Sequence, residues 1–342
     1  MRTPALVAGV FCLTSMRRKA ARGEDVVKIA ARVDWRIAAP VLVICAGACW
    51  GMIGLFSHVL SSAGLSSPQI TTVRCVIVTA VLFVLLFTLD RSALKIKLRD
   101  AWLFVGTGVL SIAFYNVCFF ACIEACGLSV ATILLYTAPC FVVVLSAVLF
   151  KERMTRQKTV ALCIAFAGCL MVVGIGSGTS ALPVVGILIG LASGIGYACY
   201  SLFSRVALKR YSAPTVMFYT FLFASCALAP FAQVGDIVVA ASQSGIVLAA
   251  MFALALASTL VPFACYTAGL AHMETGRASI MAFVEPMVAL VIGVSVFGDV
   301  LTAENAVGVV LILAAVALLN VRLRRPARPR VVGPRKRLRL AR

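Results

Sequence analysis

The stretch VATILLYTAPCFVVVLSAVLFKERMT, residues 130–155, carries the reading that decides the fold. From Val130 to Phe150 it holds no charge, and as a helix it is long enough to cross a hydrocarbon layer of roughly 30 Å. Pro139 sits in its middle, and the charged turn Lys151-Glu152-Arg153 closes it. A second stretch, FVEPMVALVIGVSVFGDVLT at 283–302, repeats the plan, with Glu285 ahead of Pro286 and no basic residue in the closing turn. Outward from these two, breaks at Pro, Ser, Gly or charge divide the chain into ten apolar runs. They lie near 38–60, 69–89, 102–123, 130–150, 159–177, 184–204, 214–233, 245–268, 278–298 and 304–321.

Ten spans of ~20 residues need roughly 200 apolar positions. The chain has 342 residues, 62% of them hydrophobic, or about 212. With 13% charged residues and a mean hydropathy of +1.07, a soluble protein and a sizeable extramembrane enzyme domain are both excluded. The runs are too long and too uniformly apolar for barrel strands, so they are helices. The sequence therefore predicts an all-α integral membrane protein with ten transmembrane helices.

The net charge of +19 is concentrated at the ends. Residues 1–36 hold eight Lys/Arg against three acids, and residues 322–342 hold ten against none. These are read as cytoplasmic tails lying against anionic lipid, not as nucleic-acid readers, because no aromatic or glycine-rich element accompanies the arginines. The apolar segment Pro4–Thr14 precedes Met16-Arg17-Arg18-Lys19, a cluster that a signal peptide would have to translocate, so a cytoplasmic tail is preferred. Whether translation starts at Met1 or Met16 stays open. With both termini cytoplasmic, the inner loops 90–101, 151–158, 205–213 and 269–277 and the tails hold 30 of the 31 Lys/Arg, and Arg74 alone does not.

Shifting the chain by 147 residues lays one half on the other. Gly47, Leu55, Phe56, Ser57 and Val59 meet Gly194, Leu202, Phe203, Ser204 and Val206. Ala121, Ala131, Ile133, Pro139, Phe150, Thr155 and Val160 meet Ala268, Ala278, Ile280, Pro286, Phe297, Thr302 and Val307. Five spans per half is an odd number, so the copies run in opposite senses. The charges follow: Lys151, Arg153, Arg156 and Lys158 become Gly298, Val300, Ala303 and Asn305, while outer His58 becomes inner Arg205. The chain divides into a tail at 1–36, repeats at 37–177 and 178–321, and a tail at 322–342. Inverted five-helix repeats are a secondary-transporter architecture with the substrate site near the midplane.

Two five-helix halves, each with a mid-helix proline followed by an acid and a threonine, resemble the drug/metabolite transporter superfamily, specifically its paired EamA-type repeats. The residues are Ala138-Pro139 with Phe150-Lys151-Glu152-Arg153-Met154-Thr155, and Glu285-Pro286 with Phe297-Gly298-Asp299-Val300-Leu301-Thr302. Trp50-Gly51 and Arg74 also sit where the family commonly has them, and the likeness covers roughly 37–321. Asp299 departs from the usual Glu. The resemblance implies export of amino acids, metabolites or drugs, or import of small solutes, across a bacterial cytoplasmic membrane.

Candidate site residues follow from depth and repeat position. Pro139 and Pro286 free backbone carbonyls in mid-span and point to a pair of broken helices beside a cavity, or to ordinary kinks. Glu285 is the only carboxylate deep in a span, where a charge costs ~2.5–3.5 kcal/mol. It could take up a proton, bind a substrate cation, pair with Arg74, or sit protonated as a hydrogen-bond donor. Arg74 is read as an anion-binding group or outer gate against simple snorkelling, with Glu124 as an alternative partner. Trp50, Tyr115, Asn116, Tyr136, Tyr197, Tyr200 and Tyr266 lie within spans and can line a cavity or merely pack, and Trp50 and Tyr197 are favoured as repeat equivalents.

Gly186, Gly190 and Gly194 form a small-residue ladder suited to packing within the bundle, with a homodimer left open. Twelve of the thirteen cysteines lie in apolar runs at helical spacing and read as packing residues, and no metal or cofactor is expected. Gly174–Gly178 lacks the lysine and strand of a phosphate loop and reads as a helix end. No ATPase motif is present, so a proton or other gradient, or none, drives the solute. The leading function is a secondary transporter of small organic metabolites. A lipid flippase on the same fold, or an intramembrane enzyme, which would place paired acids or histidines in the spans, are the alternatives. Reporter tags near 155 and 302 should label from opposite compartments; labelling from the same side would remove the inverted repeat.

Overall fold

The computed structural model describes residues 34–173 and 183–320. The two tails and the Gly174–Gly178 segment fall almost wholly outside those residues. Among the described residues, ten helices are long and apolar enough to span a bilayer: α1 Trp35–Ser62, α2 Ser67–Leu89, α3 Leu98–Cys126, α4 Leu128–Phe150, α5 Arg156–Val173, α6 Val184–Ala207, α7 Ala213–Phe231, α8 Gly245–Leu270, α9 Thr275–Phe297 and α10 Ala303–Asn320. Their ends fall within a few residues of the sequence reading. The short helix Val234–Gln243 between α7 and α8 is additional. Its Ala240 packs with Leu60, Leu65 and Met251, so it roofs one corner of the bundle.

The two proline helices are broken, at equivalent places. α4 consists of Leu128–Leu135 and Ala138–Phe150, and α9 of Thr275–Met281 and Val284–Ile292, the latter continued by the π-helical stretch Gly293–Phe297. Each proline lies in the first turn of the second segment, where its missing N–H would have no helical partner anyway. The Thr137 hydroxyl donates to the Leu134 carbonyl at 2.6 Å, satisfying one acceptor at the break. Unforeseen from sequence, α3 and α8 carry π-helical stretches, Val105–Ala113 and Leu256–Leu260. These end at residues 147 apart and re-aim the side chains that follow.

The halves exchange their first helices. α1, from the first repeat, packs against α8 and α9 of the second; α6, from the second, packs against α3 and α4 of the first. α2 lies on α7, α5 on α10, and α4 on α9. Every one of these pairings maps onto itself or another when the halves are interchanged, as a two-fold relation between inverted repeats requires.

Glycine makes the exchange fit. A Cβ on Gly47 would stand 2.9 Å from the Ala282 carbonyl of α9, and one on Gly194 would stand 2.9 Å from the Leu134 carbonyl of α4. Gly190 and Gly186 continue that contact onto Cys122 and Cys126 of α3, so the ladder is used inside the bundle. Without water to drive burial, close backbone approach is the main source of helix association here. Gly51→Ala would place a Cβ 2.7 Å from the Glu285 carbonyl, whereas Gly54 has nothing within 4 Å. Overpacking typically costs about 1–3 kcal/mol. Gly51→Ala should therefore lower the thermal midpoint of detergent-purified protein clearly, with Gly54→Ala as the near-silent control.

Candidate functional site

Two helix groups face each other at the centre: α1, α8 and α9 on one side, α3, α4 and α6 on the other. Between them is a cavity with about 550 Å³ of space not filled by protein atoms, part of it open to solvent. The first group supplies Trp50, Phe263, Tyr266, Ser279, Phe283 and Glu285; the second supplies Ser111, Tyr115, Tyr136, Pro139, Tyr197, Tyr200 and Ser201. The wall is an aromatic box. Trp50 meets Phe263 and Tyr266 with ring centroids 5.3 Å apart in each case, and Tyr115 meets Tyr197 edge-on at 5.3 Å. Tyr136 and Phe283, repeat equivalents at the two helix breaks, approach to 6.1 Å across the pseudo-axis.

Glu285 is the one carboxylate in this wall. It is ten residues into α9, or about 15 Å from the helix start, which is midplane depth. The Tyr197 hydroxyl donates to its Oε2 at 3.4 Å, and the Tyr136 hydroxyl is the second phenol within reach. Arg74 is only 7% exposed, about 10 Å into α2. It donates to the Tyr115 hydroxyl at 3.5 Å and to the Asn116 Oδ1 at 3.4 Å, and forms no ion pair among the described residues. Glu124 is exposed, and Arg74 bonds to neither it nor Glu285. A buried cation thus stands behind Tyr115, with neutral partners only.

Of the residues singled out from sequence, Trp50, Tyr115, Tyr136, Pro139, Tyr197, Tyr200, Tyr266 and Glu285 line the cavity. Arg74 and Asn116 lie just behind its wall, and Pro286 is buried beside it. Ser111, Ser201, Ser279, Phe263 and Phe283 were not singled out. The repeat offset could have found two of them, since Phe263 is the equivalent of Asn116 and Phe283 of Tyr136. The serines gave no signal. Ser111 Oγ, buried at the cavity wall, has no hydrogen-bond partner among the described residues.

The cavity is closed toward the end that carries the basic loops. There Tyr200 Oη and Thr267 Oγ1 lie 2.6 Å apart, and Ser201 Oγ and Tyr266 Oη 2.7 Å. One turn further, Arg205 donates to the carbonyls of Leu270 and Met273 at 2.8 and 3.1 Å. All of these join α6 to α8, that is, one helix group to the other. At the opposite end the repeat equivalents are Ile53, Gly54 and His58 on α1 and Phe119, Phe120 and Ile123 on α3. No hydrogen bond among the described residues links them, and exposed His58 instead rests on Phe297 of its own group at 4.9 Å.

The EamA-like transporter family matches residues 37–174 and 184–321, one repeat each. The chain belongs to that family. It is 30% identical over 218 residues to an uncharacterized transporter of Archaeoglobus fulgidus, covering 61% of this chain and 75% of that one. It is 26% identical to a "Probable amino-acid metabolite efflux pump" of Salmonella typhimurium, covering 66% of this chain and 79% of the pump. A solved crystal structure superposes with a TM-score of 0.69 at 20% identity over 83% of this chain and 98% of that one, a likeness of fold. With the ten apolar helices, this EamA family member is an integral, multi-pass membrane protein of the drug/metabolite transporter superfamily.

Trp50 gives the cavity an optical reporter, because Trp102 is 53% exposed at the bundle surface and Trp35 stacks on His272 away from the cavity lining. A solute that occupies the cavity should change tryptophan emission. Trp50→Phe should abolish the response while Trp102→Phe preserves it, and persistence without Trp50 would place the binding elsewhere.

Proposed function

We propose that this EamA family member is a secondary transporter that exports small organic metabolites, such as amino acids or drug-like solutes, across a bacterial cytoplasmic membrane by alternating access. The observation that carries the reading is a central cavity, walled by both repeats, that is sealed by polar bonds toward one end only. A passage for solutes must be closed on one side at a time, and inverted repeats supply two such arrangements from one sequence plan. The names of the efflux-pump relatives support the direction and the solute class. The basic loops put the sealed end in the cytoplasm, with both termini there, so this conformation faces outward.

The bodies that rock are the mixed groups α1/α8/α9 and α3/α4/α6 and not residues 37–177 against 178–321, because the glycine contacts bind α1 and α6 into the opposite repeat. Within the cavity, Glu285 holds a proton or the cationic group of a solute, Tyr197 and Tyr136 orient its carboxylate, and the rings of Trp50, Tyr266 and Tyr197 grip apolar parts. Arg74, hydrogen-bonded to neutral Tyr115 and Asn116 with no ion pair among the described residues, draws anionic groups toward them. Pro139 and Pro286 keep the helix breaks that leave backbone acceptors beside the cavity. Proton uptake at Glu285 would couple export to the proton gradient.

Purified protein in liposomes, assayed by counterflow with amino acids, tests this directly. Hydrogen bonds to charged groups are worth about 1.5–3 kcal/mol, so Glu285→Gln should slow transport by roughly ten- to a hundredfold and flatten its pH dependence. An unchanged rate and pH profile would remove Glu285 from the mechanism. Absence of counterflow for any amino acid, metabolite or drug-like solute in the unsubstituted protein would sink the transport assignment.

A further inference from the structure

The turn after α4 and the turn after α9 are built alike. Lys151 and Gly298, 147 residues apart, both take left-handed backbone angles (φ 54° and 74°). The amide of the next residue then donates back to the carbonyl six residues earlier, Glu152 to Ser146 at 3.4 Å and Asp299 to Gly293 at 3.1 Å. Gly298 adopts this conformation freely; Lys151 does so at a steric cost. Both halves therefore present a carboxylate at the same point in space relative to their own repeat.

The two carboxylates are used differently. Glu152 Oε1 and Oε2 accept from the backbone N–H groups of Thr275 and Gly276 at 2.7 and 3.2 Å, capping the first turn of α9. Those amides have no helical partner of their own, and the helix dipole favours an anion there. Ser146 Oγ donates to Glu152 Oε2 at 3.3 Å. Lys158 Nζ lies 3.5 Å from Glu152 Oε2 and 2.8 Å from Glu274 Oε2, tying α5 to the same knot. Burial pushes the Glu152 carboxyl up, but the Thr275 and Gly276 amides and Lys158 outweigh it and hold it below the usual range. Asp299 is exposed and accepts from no backbone amide of α4. Applying the repeat offset to the bonds Glu152 makes gives their mirror partners: Asp299 onto the N–H groups of Leu128 and Ser129, at the start of α4.

We propose that Glu152 and Asp299 are alternate latches, Glu152 closing the basic end by capping α9 in this conformation and Asp299 closing the opposite end by capping α4 in the other-facing one. The inference rests on the alternating-access reading and adds to it the contacts that distinguish the two states. Glu152 extends from one rocking group and α9 belongs to the other, so its bonds must break when the basic end opens. The mirror latch is weaker: where Glu152 has Ser146 and Lys158 beside it, Asp299 has Gly293 and Asn305, and Glu274 is matched by Gly127. A longer, better-supported acid on the basic side explains why the chain rests with that side closed.

Amide hydrogen exchange on the full chain in nanodiscs tests this without labels, alongside counterflow in liposomes. Glu152→Gln should speed exchange at Thr275 and Gly276 by about tenfold or more and slow it at Leu128 and Ser129. Asp299→Asn should do the reverse at both places, and Asp299→Glu, at an exposed position that leaves folding intact, should slow exchange at Leu128 and Ser129. Faster exchange at 275–276 with 128–129 unmoved would reduce Glu152 to a local helix cap and overturn the proposal, as would protection at 128–129 that ignores both Asp299 variants. Reciprocal shifts without any counterflow would keep the latches and sink the transport reading; counterflow without reciprocal shifts would do the opposite.

Discussion

At the breaks in α4 and α9, backbone carbonyls lose their helical partners deep in a layer that offers no water. An unsatisfied group there costs several kcal/mol, so something polar or very close must cover it. Here local donors supply the cover, the Thr137 amide and hydroxyl to the Leu134 carbonyl and the Glu285 amide to that of Ala282, and a glycine face packs over them: Gly194 of α6 on Leu134 and Leu135, Gly47 and Gly51 of α1 on Ala282 and Glu285. Because the packing helix in each case comes from the other repeat, neither repeat packs over its own broken helix. That mutual dependence ties the halves into one body, sets the depth of Glu285, and leaves the space between the groups as a cavity.

The same exchange explains the polarity of the seals. Bonds within a group, such as Trp50 on Tyr266, are aromatic or glycine-mediated and need not change as the groups rock. Bonds between groups at the basic end are hydrogen bonds and ion pairs: Tyr200 with Thr267, Ser201 with Tyr266, Arg205 with the end of α8, Glu152 with the start of α9. Polar contacts at a membrane-protein end can exchange for water at modest cost, because the alternative partner is close at hand. Apolar and backbone contacts in the middle have no such substitute. Rigid interiors and exchangeable ends are what a rocking mechanism needs.

Much of this was legible in the residues. Hydropathy gave ten spans and the 147-residue offset gave the inverted repeat, because lipid imposes one length on every helix and an odd number of spans per half reverses the second copy. The offset also pointed to Trp50, Tyr197 and Pro139, which line one cavity, and to Pro286, which is buried beside it. It did not reveal Ser111, Ser201 or Ser279, since a lone serine in an apolar helix carries no periodic signal. Arg74, read as an anion-binding group, an outer gate or a snorkelling side chain, lies on Tyr115 and Asn116. Sequence spacing locates a charge along its own helix but says nothing of the rotation that brings another helix to it.

What the chain of letters determined by itself, then, was how many times it crosses the bilayer and that its two halves share one plan. Each follows from a solvent that tests every segment separately for length, apolarity and charge. The exchange of α1 and α6 between repeats, the π-helical turns of α3 and α8, and the capping of α9 by Glu152 but not of α4 by Asp299 were decided by tertiary structure. These depend on which surfaces meet. Two equivalent sequences can make unequal contacts only once the molecule as a whole has closed at one end.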